Sequence, residues 1–416
     1  MNIIIVSSDY IPEKTLKEPF EKAELLRVLD ENKKLRLFLA EEFSSLGANV
    51  LIIEPDFSGK SHKTAMEFFD SDGISRVFVN LDSKKPDRLL SGKDILRFCS
   101  KAADNSAAIG GIFLPDIVIS SGSFPFGIGA AEKIAEESSA VLITELFCPP
   151  DFLIKTGAIK KPSPVLMLLK KAEKSAFDKS SAVLGFYKQE KEVLFGAHGF
   201  FPMDFPFFEP KKPTSSEAFS LYEKLFTFRE GKTPVLATES PLENGFSIEE
   251  LIFAAKEFSG KINLVFLSGG SKKPLYKSMI REKGINNVFF LDPIPKGEAS
   301  FVLSAADFVF VSENKIIGAH SKELFYSALY SGKPVLAAME KEADFIKKSA
   351  AAVITKPKNK ESLRLGIKAL LDMSETDREA LGLSGKAFCN KNSAKNFSIE
   401  YFSLLEHLVK QKENKK

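Results

Sequence analysis

Tryptophan is absent from the 416 residues, cysteine occurs three times and histidine four times. Cys99, Cys148 and Cys389 are odd in number and far apart, which argues against a disulfide framework and fits a reducing cytosol. The few histidines give no ligand spacing for structural zinc. Long apolar runs are also missing: Val141–Thr144 and Val165–Leu169 fall far short of the ~20 residues that span a bilayer. Met1–Ser7 is apolar but has neither a basic n-region nor a cleavage site, so it reads as a strand and not as a signal peptide. Charge of one sign is lacking too. Lys and Arg number 58 against 55 Asp and Glu, a net of +3, too balanced for a chain built mainly to hold nucleic acid. The expected location is the cytoplasm, including the inner face of the membrane.

What is present is ordinary globular composition, 44% hydrophobic and 27% charged, which excludes a wholly disordered chain. At ~150 residues per domain the length suggests two to three domains. The chain opens with Ile3-Ile4-Ile5-Val6, a β-branched run of the kind found in strands buried on both faces. A helix follows over Lys33–Leu46, with Leu35, Phe38 or Leu39, and Phe43 plus Leu46 forming its apolar stripe, and Gly47 stops it. Val50–Ile53 is the next strand, and strand–helix–strand is the unit of a parallel sheet. A charged segment between Ile11 and Asn32 suggests one extra helix.

The alternation continues. Strands are expected at Asp116–Ile119, Val141–Thr144 and Ala182–Phe186, with helices at Gly127–Glu136 and Val165–Lys179. Phe200–Ser216, with Pro202, Pro206, Pro210 and Pro213, breaks the periodicity and marks a linker. A second series then runs through strands at Val235–Ala237, Leu264–Leu267, Val288–Leu291, Phe308–Val311 and Val335–Ala338. Helices lie between them, near Ile248–Phe258, Pro274, Glu298–Ala305, Lys322–Tyr330 and Ala343–Ser349. Helices at Lys360–Asp372, Glu375–Asn390 and Ile399–Lys410 close the chain. The expected architecture is α/β: two Rossmann-like doubly wound domains facing a cleft, with a helical C-terminal tail. Its parts are domain 1–205, linker 206–230, domain 231–392 and a final helix in 393–416.

Open α/β sheets bind ligands beyond the carboxyl ends of their strands, so the candidate sites lie there. Leu267-Ser268-Gly269-Gly270-Ser271 follows a strand and precedes a helix; it is either an anion cradle or a tight βα turn. It matches neither the P-loop nor the dinucleotide fingerprint. Ser321, Lys322 and Glu323 open a helix whose dipole favours anions, so Lys322 could pair with phosphate and Glu323 could accept sugar hydroxyls. A solvated helix start capped by Ser321 is the other reading. Ser331-Gly332-Lys333-Pro334-Val335 reads as a helix stop followed by a strand start. Ser120–Gly129, with Gly122, Ser123, Gly127 and Gly129, leaves room for a ligand after a strand. His198 and His320 are lone histidines, either bases or structural. Lys160–Lys191 is rich in lysine (160, 161, 170, 171, 174, 179, 188, 191) beside the apolar Val165–Leu169. Basic and apolar side chains together seat a helix on an anionic membrane, unless this is a core helix with a solvated lysine face.

The order of these motifs resembles family 4 glycosyltransferases of the GT-B fold, especially bacterial cell-surface enzymes similar to N-acetyl-fucosamine transferases. The residues that carry the resemblance are Gly157-Ala158-Ile159-Lys160, then Gly269-Gly270, then Asn287-Val288-Phe289-Phe290-Leu291-Asp292-Pro293-Ile294-Pro295. Leu303-Ser304-Ala305-Ala306-Asp307 and Tyr330-Ser331-Gly332-Lys333-Pro334-Val335 complete the series. The resemblance implies a nucleotide-sugar held mainly by the second domain, as co-substrate and not as a resident cofactor. It also implies a glycan or lipid-linked acceptor on the first domain, no required metal, retention of anomeric configuration, and a final helix crossing back to the first domain. Donor contacts then fall on Gly269, Gly270, Ser271, Pro293, Ile294, Pro295, Ser321 and Lys322, the catalytic carboxylate on Glu323, and acceptor contacts on Gly122, Ser123, Gly127 and Gly129.

The chain departs from the pattern at the paired glutamates, whose places are taken by Ala319 and Ser327. In the loop Thr238–Gly245 Leu242 stands roughly where the family has a diphosphate-clamping cation, Glu239 and Glu243 beside it would repel phosphate, and Pro12-Glu13-Lys14 replaces a glycine pair. Two further classes therefore stay open: a degenerate relative acting as a binding or scaffold protein, and a sugar-phosphate or nucleotide enzyme such as an epimerase.

Overall fold

In the computed structural model the described residues are 1–7, 20–56, 66–71, 74–80, 92–122, 127–147, 164–185, 199–202, 206–210, 212–230, 233–295, 297–312, 321–339 and 344–414. The chain divides into two compact units, Met1–Phe205 together with Lys395–Lys416, and Pro206–Ala394.

Among the described residues the first unit holds one eight-stranded sheet: β1 (Asn2–Ser7), β2 (Asn49–Asp56), β3 (Met66–Ser71), β4 (Ile74–Asn80), β5 (Ile117–Ser121), β6 (Val141–Leu146), β7 (Ala182–Gly185) and β8 (Gly199–Pro202). Their order is β3-β4-β2-β1-β5-β6-β7-β8. Neighbours are parallel except the antiparallel pair β3 and β4. Side chains alternate across a strand, so β1 feeds two cores. Ile3 and Ile5 pack with Leu35, Leu39 and Phe43, whereas Ile4 and Val6 pack with Val77, Phe98 and Ile134.

The first helix differs from expectation. Phe20–Ser45 is one continuous helix, not an extra helix followed by a second. No glycine or proline interrupts those residues, so nothing ends the helix early. The hairpin of β3 and β4 and the helices Gly92–Asp104 and Ser106–Phe113 were not anticipated at all. Helices Ile128–Ser138 and Pro164–Lys179 follow β5 and β6 and cover the second face with Ile128, Ala131, Ile134 and Ala172.

The first face is completed by the last helix, Ala394–Glu413, longer at both ends than its expected range. Phe397, Tyr401, Leu405 and Leu408, spaced along one helical stripe, join the core of Ile3, Phe43 and Ile119. The rings of Phe43 and Tyr401 meet edge-on at 5.4 Å. The Tyr401 hydroxyl donates to Glu145 Oε1 at 2.8 Å, the Ser121 hydroxyl donates to Glu145 Oε2, and Arg36 Nη1 donates to Ser121 Oγ at 3.4 Å. All four side chains are buried. Burial, and then the Glu145 charge, push the Tyr401 phenol well above its ordinary range, so it remains a donor at neutral pH. Lys412 Nζ also donates to the Ala140 carbonyl at 2.8 Å.

The second unit holds, among the described residues, an all-parallel sheet of β9 (Val235–Thr238), β10 (Asn263–Phe266), β11 (Val288–Phe290), β12 (Phe308–Ser312), β13 (Val335–Ala338) and β14 (Ala352–Thr355), ordered β11-β10-β9-β12-β13-β14. β14 was not anticipated. Residues 216–230, expected within a linker, form the helix Ser216–Glu230, whose Ala218, Leu221 and Leu225 are buried in this unit's core. The Ser215 hydroxyl caps it by accepting from the Ala218 amide at 3.1 Å. Phe207 and Ser393 pair, so the chain enters and leaves this unit side by side. Cys389 is buried here, and desolvation pushes its thiol up to about 12. No helix among the described residues is long and apolar enough to cross a membrane.

Tyr401→Phe keeps the ring but leaves Glu145 short of one buried donor. We expect a loss of about 1–3 kcal/mol, read as a lower urea midpoint for the first unit. An unchanged midpoint would show that the bond contributes nothing.

Candidate functional site

In the second unit the sheet reverses its winding between β9 and β12, the place where such sheets bind ligands. Serine and threonine crowd the carboxyl ends there. Ser240 N–H donates to Thr238 Oγ1 at 3.0 Å, Ser268 Oγ–H donates to the Ser240 carbonyl at 2.8 Å, and Ser247 N–H donates to Ser312 Oγ at 3.2 Å. The Ser240 hydroxyl itself is buried and has no hydrogen-bond partner among the described residues. A buried hydroxyl left unpaired has a free energy cost.

The glycine turn stands beside it. Leu267 N–H donates to the Thr238 carbonyl at 2.8 Å, and Gly269, Gly270 and Ser271 then emerge exposed. The loop after β9 lies directly on this turn: Leu242 N–H donates to the Gly269 carbonyl at 2.9 Å and Lys272 N–H to the Leu242 carbonyl at 3.0 Å. Gly270 has φ +150°, and a Cβ there would stand 2.4 Å from the Leu242 carbonyl oxygen. Only glycine admits that approach. Glu243 completes the join, since its carboxylate accepts from both the amide and the hydroxyl of Ser271, the latter at 2.6 Å. The protein's own anion thus occupies the donors that Ser271 offers at the start of the helix Lys273–Glu282.

The strand ends beyond are clamped by Lys273, whose Nζ donates to the Leu291 carbonyl at 2.8 Å and the Ser268 carbonyl at 3.3 Å. Burial and then the neighbouring Lys277 charge lower its pKa, with Asp292 opposing. Pro293–Pro295 run along the same edge: Ile294 N–H donates to the Leu267 carbonyl at 3.1 Å, and Gly269 faces the Pro293 ring. Gly269, Gly270, Ser271, Pro293, Ile294 and Pro295 are therefore brought together at the carboxyl ends of β10 and β11.

Ser321, Lys322 and Glu323 open the helix Ser321–Tyr330, anchored below by buried Phe325, Tyr326, Ala328 and Leu329. Glu323 is exposed in its first turn. The side chains of Ser321 and Lys322 lie outside the described residues, as do Ala319, His198, His320, Gly157–Lys160 and Pro12–Lys14.

In the first unit the winding reverses between β1 and β5. Gly122 follows β5 and is buried; Gly127 precedes the helix Ile128–Ser138 and stands over Val6 at the end of β1. Gly129 is exposed with open space around it, and Ser123 lies outside the described residues. Sequence reasoning missed the polar floor at this edge. Ser7, paired in register with Ser121, buries a hydroxyl without a hydrogen-bond partner among the described residues, beside the Arg36–Ser121–Glu145–Tyr401 chain. One signal was available: Arg36 sits within the apolar stripe of Leu35, Leu39 and Phe43. Lys273 was missed as well, and Glu243, noted only as an acid in the loop after β9, was not expected to take the Ser271 donors 28 positions away. Among the described residues no group of three or more His, Cys, Asp or Glu could hold a metal ion.

No family model matches the chain, and no curated protein matches its sequence. Solved structures do match in shape. Sucrose-phosphate synthase from Thermosynechococcus elongatus superposes with a TM-score of 0.61 at 12% identity, covering 99% of each chain. The catalytic domain of starch synthase IV from Arabidopsis thaliana, bound to ADP and acarbose, gives 0.56 at 12% identity over 98% of this chain and 99% of that one. Anabaena HepE in complex with UDP gives 0.56 at 13% identity over 98% and 100%. The fold is GT-B, two Rossmann-like parallel-sheet units. At these identities the likeness is one of fold.

Gly270→Ala forces Cβ into the Leu242 backbone. We expect this to part the two loops and to lower stability by more than about 1 kcal/mol. Circular-dichroism melts at matched pH check it, and an unshifted transition would contradict the close approach.

Proposed function

We propose that the chain is a glycosyltransferase that takes a sugar from a nucleotide-sugar and moves it to a cell-envelope glycan or glycolipid. The observation that carries this reading is the junction of Gly269–Ser271 with Pro293–Pro295 at one sheet edge. A glycine turn that opens a helix of ten residues suits a diphosphate, and the adjoining proline segment suits the flank of a base. The GT-B neighbours crystallised with UDP and ADP support the same assignment. In this reading the bond between sugar and diphosphate breaks with its electron pair on the phosphate oxygen, the acceptor hydroxyl oxygen forms the new bond to the sugar, and its proton passes to the departing phosphate oxygen. Lys322 and the helix starts stabilise the charge on the departing diphosphate, and Glu323 orients the sugar by accepting from its hydroxyls. The acceptor occupies the edge of Gly122, Ser123, Gly127 and Gly129. Retention of configuration and independence of metal come with the family resemblance.

A second reading is favoured by one specific contact. Glu243 already takes the amide and hydroxyl of Ser271, and Ala319 and Ser327 stand where the paired glutamates belong. A chain that keeps the fold and the nucleotide but has lost turnover, acting as a binding or scaffold protein, would look like this.

Calorimetry with UDP and GDP separates both readings from neither. Heat with one of them at millimolar ligand is expected; none with either removes the donor site. Lys322→Ala should weaken that binding by about 1–3 kcal/mol, as for a hydrogen bond to a charged group, and an unchanged affinity would take Lys322 out of the site. Release of nucleotide from a panel of nucleotide-sugars then distinguishes enzyme from scaffold.

A further inference from the structure

The helix Lys273–Glu282 has no cap from its own N-cap residue, since Lys272 makes no side-chain hydrogen bond there. Glu243, from the loop after β9, caps it from outside. One of its oxygens accepts from the Ser271 amide and the other from the Ser271 hydroxyl, the latter at 2.6 Å. A phosphate at a helix start takes the same kinds of group, backbone N–H and hydroxyl, with oxygens of the same sign of charge. The carboxylate therefore stands where a phosphate would.

It is also held there. Leu242 N–H donates to the Gly269 carbonyl and Lys272 N–H to the Leu242 carbonyl, so the residue before Glu243 is tied to the turn from both sides. Glu243 itself is 9% exposed, and among the described residues no ion pair neutralises it. Lys273, in the first turn of the helix, gives its ammonium to the Leu291 and Ser268 carbonyls instead. More negative charge lies close by. Tyr276, one turn into the helix, has its phenol pushed up by burial and then by Glu249, Glu250 and Glu243. Two like charges ~4 Å apart lower an affinity about fivefold even at the dielectric of water, and more where water is excluded. An internal anion is present at every ligand concentration. The turn is thus open to a phosphate only in the fraction of molecules whose carboxylate has moved off.

We propose that Glu243 is a built-in competitor for the phosphates of the nucleotide-sugar and sets the affinity of the Gly269–Ser271 turn. The inference rests on the reading of that turn as the diphosphate site. It adds that the wild-type chain binds nucleotide more weakly than its turn and helix start allow.

Calorimetry of the full chain with UDP, GDP, inorganic pyrophosphate and uridine tests it. Glu243→Gln keeps an oxygen for the Ser271 amide but removes the charge; Glu243→Ala frees both groups. Each variant is expected to bind pyrophosphate, and the diphosphate that the wild type prefers, at least about fivefold more tightly, with uridine unchanged. Glu249→Gln removes an equal charge from the exposed start of the neighbouring helix Ile248–Lys256 without touching Ser271, and should change these affinities less than about twofold. Binding by wild type and variants with equal affinity overturns the competitor and leaves the diphosphate site standing. Weaker binding by Glu243→Gln does the same, since Glu243 would then support the ligand. An equal gain for uridine, or an equal gain in Glu249→Gln, also overturns it, as neither is competition at Ser271. Absence of binding to every phosphate ligand in all chains removes the competitor and the diphosphate site together. Thermal melts of each variant accompany the titrations, and Glu243→Gln alone decides if Glu243→Ala does not fold.

Discussion

A strand paired in parallel on both sides cannot leave a face to water when helices must return over the sheet, and that constraint organises the first unit. β1 and β5 lie at its centre, so the face carrying Ile3, Ile5, Ile117 and Ile119 needs a roof. The helix Phe20–Ser45 provides part of it and the helix Ala394–Glu413 the rest. Burying Phe397, Tyr401, Leu405 and Leu408 is worth about 1.5–3 kcal/mol each, more together than the single hydroxyl bond from Tyr401 to Glu145. Apolar burial therefore holds the last helix down, while the polar chain through Arg36, Ser121 and Glu145 sets where along the sheet it rests.

The same logic explains why chemistry gathers at strand ends. The interiors of the central strands β1, β5, β9 and β12 are apolar from both sides, and their polar side chains gather where the chain leaves the sheet. Ser7 and Ser121 occupy that position in one unit, and Thr238, Ser240, Ser268 and Ser312 in the other. In the second unit the loops are also tied to each other, because Gly270 lets the Leu242 backbone sit on the turn and Glu243 closes the join. The turn is therefore held in shape before any ligand arrives. A ligand at that turn would meet a surface carrying one internal carboxylate.

How much of this was legible depends on the range of the interaction. Ile3–Val6 and Val335–Ala338 read as buried strands because their whole environment is apolar, and Lys360–Asp372 reads as a helix because its stripe and its Asn359 cap are local. The helix Ser216–Glu230 did not, since the prolines before it masked the burial of Leu221 and Leu225. β3 and β4 did not either, as a short hairpin at a sheet edge carries a mixed pattern. At the candidate site the glycine turn and the proline segment were visible as motifs. Their contact was not, nor were the bonds from Glu243 to Ser271 or from Tyr401 to Glu145, which join residues 28 and 256 positions apart. Local rules do not reach that far.

The discontinuity of the first unit also bears on how the chain is made. Its roof is encoded after the whole of the second unit, so a ribosome delivers the second unit complete while the first still has Ile3 and Phe43 uncovered. Vectorial synthesis then runs against the domain order: the half that begins first finishes last, and its exposed sheet face is the stretch that a chaperone has most reason to guard.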